Sequence, residues 1–291
     1  MNAELLQFLF SGITVGAIYA LVGVGFSVIF NASNVINFAQ GEFVMIGGMA
    51  SVFMMAAGLP MWLAFVLAVI GATVIGFLVE KLAIEPAGNA TVVNLIIITI
   101  GVSIFLRGAA QVIFDRNFHS MPSFSSSEPI RIGGASLSTQ SLWVVGGLIV
   151  IILLLRYFFN HTMLGKAMLA TSYNEHGARL VGINTGRILQ LSFAIAAGLG
   201  AIAGILIAPI ALTYAGVGVM LGLKGFCAAI VGGLGNPMGA IAGGLVVGVA
   251  EALTAGYISS SYKDAVAFII ILLVLFFMPS GLFGRKELDK V

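Results

Sequence analysis

Long apolar runs recur along this chain, and they constrain its fold more than any other feature. Residues 5–30, 61–84, 91–114, 140–159, 188–211 and 264–278 each meet or approach the ~20 mostly apolar residues that a helix needs to cross a bilayer core. Residues 42–58, 217–233 and 238–255 are shorter or interrupted by glycine. That predicts eight or nine spans. A membrane β-barrel would alternate apolar and polar residues. The run IVIILLL at 149–155 does not alternate, so the spans are read as helices. Composition agrees: 60% of the 291 residues are hydrophobic and 8% are charged, against about 25% charged in a soluble domain. The expected fold is an all-α integral membrane protein, one transmembrane domain over residues 1–291, with membrane lipid as its solvent.

The 38 glycines include small-residue pairs four apart, such as Gly12/Gly16, Ala194/Gly198 and Gly200/Gly204. Small residues let helix backbones approach closely in lipid. The density predicts a tight bundle with close crossings or broken helices. A net charge of +2 without a basic patch gives no sign of nucleic-acid binding. The single cysteine, Cys227, has no internal disulfide partner. No Lys or Arg precedes Lys81, so the first apolar run is not read as a secretory signal peptide, which needs a basic start.

Positive charge near span ends marks the cytoplasmic side. Arg285, Lys286 and Lys290 put the C-terminal tail inside. Lys166, Arg179 and Arg187, with Arg156 just before them, put the loop at about 160–187 inside. The longer Ser/Pro/Gly-rich loop at about 115–139 balances its charges and is placed outside. Counting back puts the N-terminus outside, unless one glycine-rich segment is re-entrant.

Three stretches differ from ordinary membrane helix. The first, residues 30–42, sets Asn31, Asn34, Asn37, Gln40, Gly41 and Glu42 between two apolar runs, with no proline. Asn and Ser side chains compete with helical hydrogen bonding. Irregular backbone at membrane depth survives only where protein buries it or a cavity wets it. The stretch is therefore a broken helix beside a translocation path or a polar turn on the cytoplasmic surface.

The second lies in the loop at 160–187. Thr171 or Ser172 could cap a short helix, with Glu175 completing a capping box from Ser172. Ala178 to Val181 would continue it and Gly182 would end it. Glu175 and His176 are adjacent, so they do not share a helix face as metal ligands would. The third runs from Lys224 through Gly232, Gly233, Gly235, Asn236 and Pro237. Proline ends helical hydrogen bonding and biases the residue before it away from helix. A charge in an apolar run is costly, so Lys224 meets a partner, a cavity or the interface by snorkelling. Arg107 and Glu251 need partners for the same reason.

No G-x-x-x-x-G-K-[ST] phosphate loop is present: Gly165-Lys166 is followed by Ala167. There is no Cys/His cluster and no nucleophile motif, and the histidines are His119, His161 and His176. The chain is not expected to be an enzyme or to bind a metal or cofactor itself.

The residues GAIYAL at 16–21, NFAQGE at 37–42, ARLVGIN at 178–184, 193–204, IVGGLGNP at 230–237 followed by Gly239, and PSGLFG at 279–284 occur in order along the chain. In that order and spacing they resemble the LivH-type permease subunits of branched-chain amino acid ABC importers, over nearly the whole length. The resemblance implies a type II ABC importer-like permease fold in a bacterial inner membrane. It also implies a second, LivM-like permease, two cytoplasmic ATPases that bind ATP and Mg, and an external substrate-binding protein. Permeases of this kind meet their ATPases through a short cytoplasmic helix with an E-A-A-x-x-x-G pattern. The aligned residues are His176-Gly177-Ala178 and Gly182, with Glu175 one place early, so Ser172, Glu175, His176, Ala178, Arg179 and Gly182 are the expected coupling residues. Asn37, Gln40, Glu42 and Lys224 are the expected path residues, because a zwitterion needs polar partners in an apolar wall. Gly41, Gly232, Gly233, Gly235, Asn236 and Pro237 are the expected helix breaks. Related readings are a permease of the same family for urea, amides or other amino acids, and a stand-alone secondary transporter using Glu42 or Glu251 for ion coupling.

Overall fold

The computed structural model describes residues 3–88, 90–125 and 128–284. The tail cations Arg285, Lys286 and Lys290 lie outside the described residues. The helices are α1 (Ala3–Ser33), α2 (Gln40–Ala56), α3 (Met61–Val79), α4 (Val92–Ile113), α5 (Thr139–His161), α6 (Met163–Tyr173), α7 (Glu175–Leu180), α8 (Thr185–Ile207), α9 (Val217–Gly232), α10 (Pro237–Tyr257) and α11 (Lys263–Phe277). A π-helical turn, Glu80–Ile84, extends α3. A small antiparallel hairpin, β1 (Ile130–Ile132) and β2 (Ala135–Leu137), occupies the loop before α5. Ser136 N–H on this hairpin donates to Gln7 of α1.

Among the described residues, seven helical stretches are long and apolar enough to cross a membrane, and α2 and α9 are shorter apolar helices. The spans lie close to the runs read from the sequence. In the most apolar part of each helix, α1 is 83% buried and α8 67%, against 11% for α4 and α5. Helices α1 and α8 therefore form the centre. Helix α1 is apolar on every face, as a central helix must be. It packs along α10, and α8 packs along α3 and α2.

Helix α2 starts deep in the bundle. The Gln40 side chain donates to the Ala196 carbonyl, 2.9 Å away, at the midpoint of the spanning helix α8. The preceding residues 34–39 are not helical. Asn34 turns the chain with φ 54°, and Asn37 and Ala39 are fully enclosed. Thr99 of α4 accepts the Phe38 N–H at 3.2 Å, so protein side chains satisfy the irregular backbone, as lipid could not. Of the two readings of this stretch, the structure has the broken helix at depth. The break ends before Gly41, which lies in the first turn of α2. Its glycine serves close approach instead: a Cβ on Gly41 would strike the Gly218 carbonyl, and one on Gly218 the Gly41 carbonyl. The first turns of α2 and α9 thus cross backbone to backbone.

The second break follows α9. Gly233 and Gly235 take φ of 103° and 84°, which suits glycine. Asn236 caps α10 by accepting from the Met238 and Gly239 amides, and Pro237 occupies the first helical position. The segment 279–284 folds back on it. Leu282 and Phe283 N–H donate to the Val231 and Gly232 carbonyls at 2.9 and 3.0 Å, and Asn236 donates to the Phe283 carbonyl. The two motifs 230–237 and 279–284, far apart in sequence, form one joint.

Candidate functional site

Two buried charge clusters sit in the bundle. The first joins α2 to α4. Glu42 Oε1 accepts from Ser103 Oγ at 2.8 Å and lies 3.3 Å from Arg107 Nη2. Arg107 also donates to Ser103 Oγ at 3.4 Å. Thr99, Ser103 and Arg107 repeat every four residues and so share one face of α4. The Glu42 side chain is 2% exposed and the Arg107 side chain 32%. Glu42 Oε2 and Arg107 Nε have no hydrogen-bond partner among the described residues.

The second cluster joins α9, α10, α11 and α1. Lys224 Nζ lies 2.6 Å from Glu251 Oε1 and 2.5 Å from Asp264 Oδ1. Tyr19 OH donates to Glu251 Oε2 at 2.8 Å, and the ammonium sits 5.4 Å from the centre of the Tyr19 ring. The Lys224 side chain is 7% exposed, so it does not snorkel. The reason is local: Glu251 of the neighbouring α10 and Asp264 of α11 both reach its ammonium. Burial without such pairing would be costly.

Arg107 and Glu251, expected to need partners, thus find them in Glu42 and Lys224. Asn37 Oδ1 accepts the Ala39 N–H at 3.0 Å and holds the break's turn. Gln40 wedges between α1 and α8. Asn37, Gln40 and Glu42 therefore gather at the start of α2, while Lys224 belongs to the other cluster. The sequence reading missed Tyr19, Thr99, Ser103 and Asp264. The spacing of Thr99, Ser103 and Arg107 was a readable polar stripe; the pairing of Tyr19 with Glu251 had no local signal. It also missed Glu80, buried in the π-helical turn that ends α3. Single π-turns recur at functional sites.

The loop between α5 and α8 holds α6 and α7. Asn174, not Thr171 or Ser172, caps α7, accepting the Gly177 N–H at 2.9 Å. Thr171 and Ser172 lie inside α6, where their hydroxyls donate back to the Ala167 and Leu169 carbonyls. The capping box from Ser172 therefore does not form. Gly182, with φ 88°, ends α7: its N–H donates to Arg179 O and the Ile183 N–H to Ala178 O, the two bonds of a Schellman ending. Glu175 and Arg179 form an ion pair along α7, and Arg179 also donates to Thr185. Ala178 faces inward, while His176, Leu180 and Val181 face out.

Broken helices meeting at mid-depth, with paired charges among apolar spans, define a multi-pass α-helical membrane transport protein. The chain belongs to the family described as the branched-chain amino acid transport system permease component, which matches residues 8–275. It is 37% identical to the high-affinity branched-chain amino acid transport system permease protein LivH of Salmonella typhimurium, over 98% of this chain and 97% of that one. It is 33% identical to BraD of Pseudomonas aeruginosa, a permease protein of the same description, over 98% of each. Among solved structures, PsaBC from Streptococcus pneumoniae in complex with Fab is similar in fold, with a TM-score of 0.50 at 17% identity over 96% of this chain and 94% of that one.

Proposed function

We propose that this chain is one permease half of an ATP-driven importer for branched-chain amino acids. The observation that carries this reading is identity of 33% and 37%, over 98% of the chain, to permeases named for that transport. The family membership favours it over a stand-alone secondary transporter, and both carboxylates that such a transporter would use are ion-paired.

In this reading the chain pairs with a LivM-like permease in a bacterial inner membrane. Two cytoplasmic ATPases supply ATP and Mg binding, and an external binding protein delivers the substrate. The loop at 160–187 and the C-terminal tail face the cytoplasm, and the loop at 115–139 faces outside. Helix α7 is the coupling element. Its capped, glycine-terminated turn presents Glu175, His176, Arg179, Leu180 and Val181 on a short rigid stub, with Ser172 on the adjoining α6 and Ala178 and Gly182 fixing its seat and end. ATP binding closes the ATPases and moves α7, and the two permeases rock between outward-open and inward-open states. The direction follows from the different affinities of nucleotide and binding protein for those states.

Co-expression with the candidate ATPases tests this. They are expected to co-purify with the intact chain and to be lost when residues 171–182 become a neutral linker of equal length in a variant that still inserts. Failure of the intact chain to retain them contradicts the reading.

A further inference from the structure

We propose that the Glu42–Arg107 pair is the site that receives the ammonium and carboxylate groups of the transported amino acid; this rests on the function proposed above. Three observations converge on it. The two atoms left unpartnered are an acceptor, Glu42 Oε2, and a donor, Arg107 Nε. An α-amino acid zwitterion carries the complementary groups: an ammonium that donates and a carboxylate that accepts. A guanidinium edge also suits a carboxylate better than an ammonium would. Among the described residues, the other buried ion pair leaves no enclosed atom of this kind, because Lys224, Glu251 and Tyr19 satisfy one another.

The second observation is exposure. The Arg107 side chain is 32% exposed at the end of the α4 face that carries the enclosed Thr99 and Ser103. Charges within spans avoid lipid and turn to a bundle interior or a water-filled cavity. The face of α4 that carries Arg107 is therefore the side that meets the path.

The third is attachment. Helix α4 is peripheral, and polar bonds hold it to the break and to α2: Thr99 to the Phe38 amide, and Ser103 and Arg107 to Glu42. Both unpartnered atoms are enclosed, so the head group reaches them when α4 parts from the start of α2. The zwitterion then replaces one ion pair with two. Arg107 exchanges Glu42 for the substrate carboxylate, and Glu42 exchanges Arg107 for the ammonium. Formal charge stays balanced at each stage, and no buried charge is left unpaired.

The test uses the full assembly in proteoliposomes, reading leucine uptake and ATP hydrolysis together. Arg107→Gln and Glu42→Gln are each expected to cut leucine moved per ATP by about tenfold or more, the loss of a charge-assisted hydrogen bond, while ATP hydrolysis stays within about twofold. Arg107→Lys, which keeps the charge, is expected to restore part of the coupling. A purely structural pair would lower uptake and hydrolysis together, or assembly itself. In a Cys227→Ala background, the thiol introduced by Arg107→Cys should react with a water-soluble thiosulfonate in the assembled complex. Wild-type leucine per ATP in Arg107→Gln, or a thiol reached only by a lipid-soluble maleimide or by neither reagent, would overturn the site and leave the transport function standing. A wild-type assembly that imports no amino acid would overturn both.

Discussion

At the start of α2, Glu42 holds Ser103 and Arg107 and leaves two polar atoms free. In the middle of α9, Lys224 holds two carboxylates, and Tyr19 takes the remaining oxygen of one of them. Both clusters tie a half-length helix to a peripheral one, α2 to α4 and α9 to α11. They differ in completion. The α9 cluster surrounds its cation and leaves no enclosed donor or acceptor of its own unpartnered, so it behaves as a fastener. The α2 cluster is balanced but unfinished, and its cation reaches the surface. A buried charge alone is therefore a poor guide to a site; the unspent donors and acceptors around it are the better one.

The comparison breaks first at Lys224. Lys224→Met leaves Glu251 enclosed without its cation, and breaking a buried pair in this way costs about 3–5 kcal/mol. The melting temperature in detergent should fall steeply, and equal stability to wild type would contradict the fastener. Glu42→Gln keeps an acceptor for Ser103 and leaves Arg107 partly exposed, so a smaller loss of about 1–3 kcal/mol is expected. A loss as large as that of Lys224→Met would erase the contrast between the clusters. Asp264 is 47% exposed, and Asp264→Asn should cost no more than about 1 kcal/mol; a double-mutant cycle with Lys224→Met measures that coupling directly.

The smallest expected effect lies at the loop after α4. Asp115 takes φ 119° and accepts from the Asn117 amide and the His119 ring, and the His119 and Thr213 backbones bridge this loop to the one before α9. The His119 hydrogen bond, followed by that of the Asn117 amide, holds the Asp115 carboxyl below its usual range. A depressed carboxylate stabilises the fold above its unfolded-state pKa and loses that contribution as pH falls through the folded value. Protection of this loop from an acid-stable protease should hold from neutral pH to about pH 4 and decline below it. Asp115→Asn should remove that dependence, and an unchanged profile would contradict it.

Much of the fold was legible because run length alone sets a span. The polar stretch 30–42 stood out as unlike membrane helix, but a buried break and a polar surface turn read alike in sequence; the contact of Gln40 with the middle of α8 separates them. The glycine/proline break at 232–237 was readable. The cap of α7 was misplaced because Thr171, Ser172 and Asn174 are all good capping types; the choice fell to whichever residue the end of α6 left extended. The sites were less legible. Glu42 and Lys224 stood out as charges in apolar runs. Their partners lie 61 residues on in sequence for Ser103, 27 for Glu251 and 40 for Asp264, and only packing selects among such candidates. The i, i+4 stripe of α4 was the exception, a local pattern pointing at a distant partner.

The most direct test of the account is binding-protein-dependent uptake of radiolabelled leucine into proteoliposomes holding this chain, its partner permease and both ATPases. Uptake is expected to require ATP and the loaded binding protein, and to be suppressed by excess unlabelled isoleucine or valine. Uptake independent of ATP, or ATP-driven uptake that urea suppresses and valine does not, would contradict it.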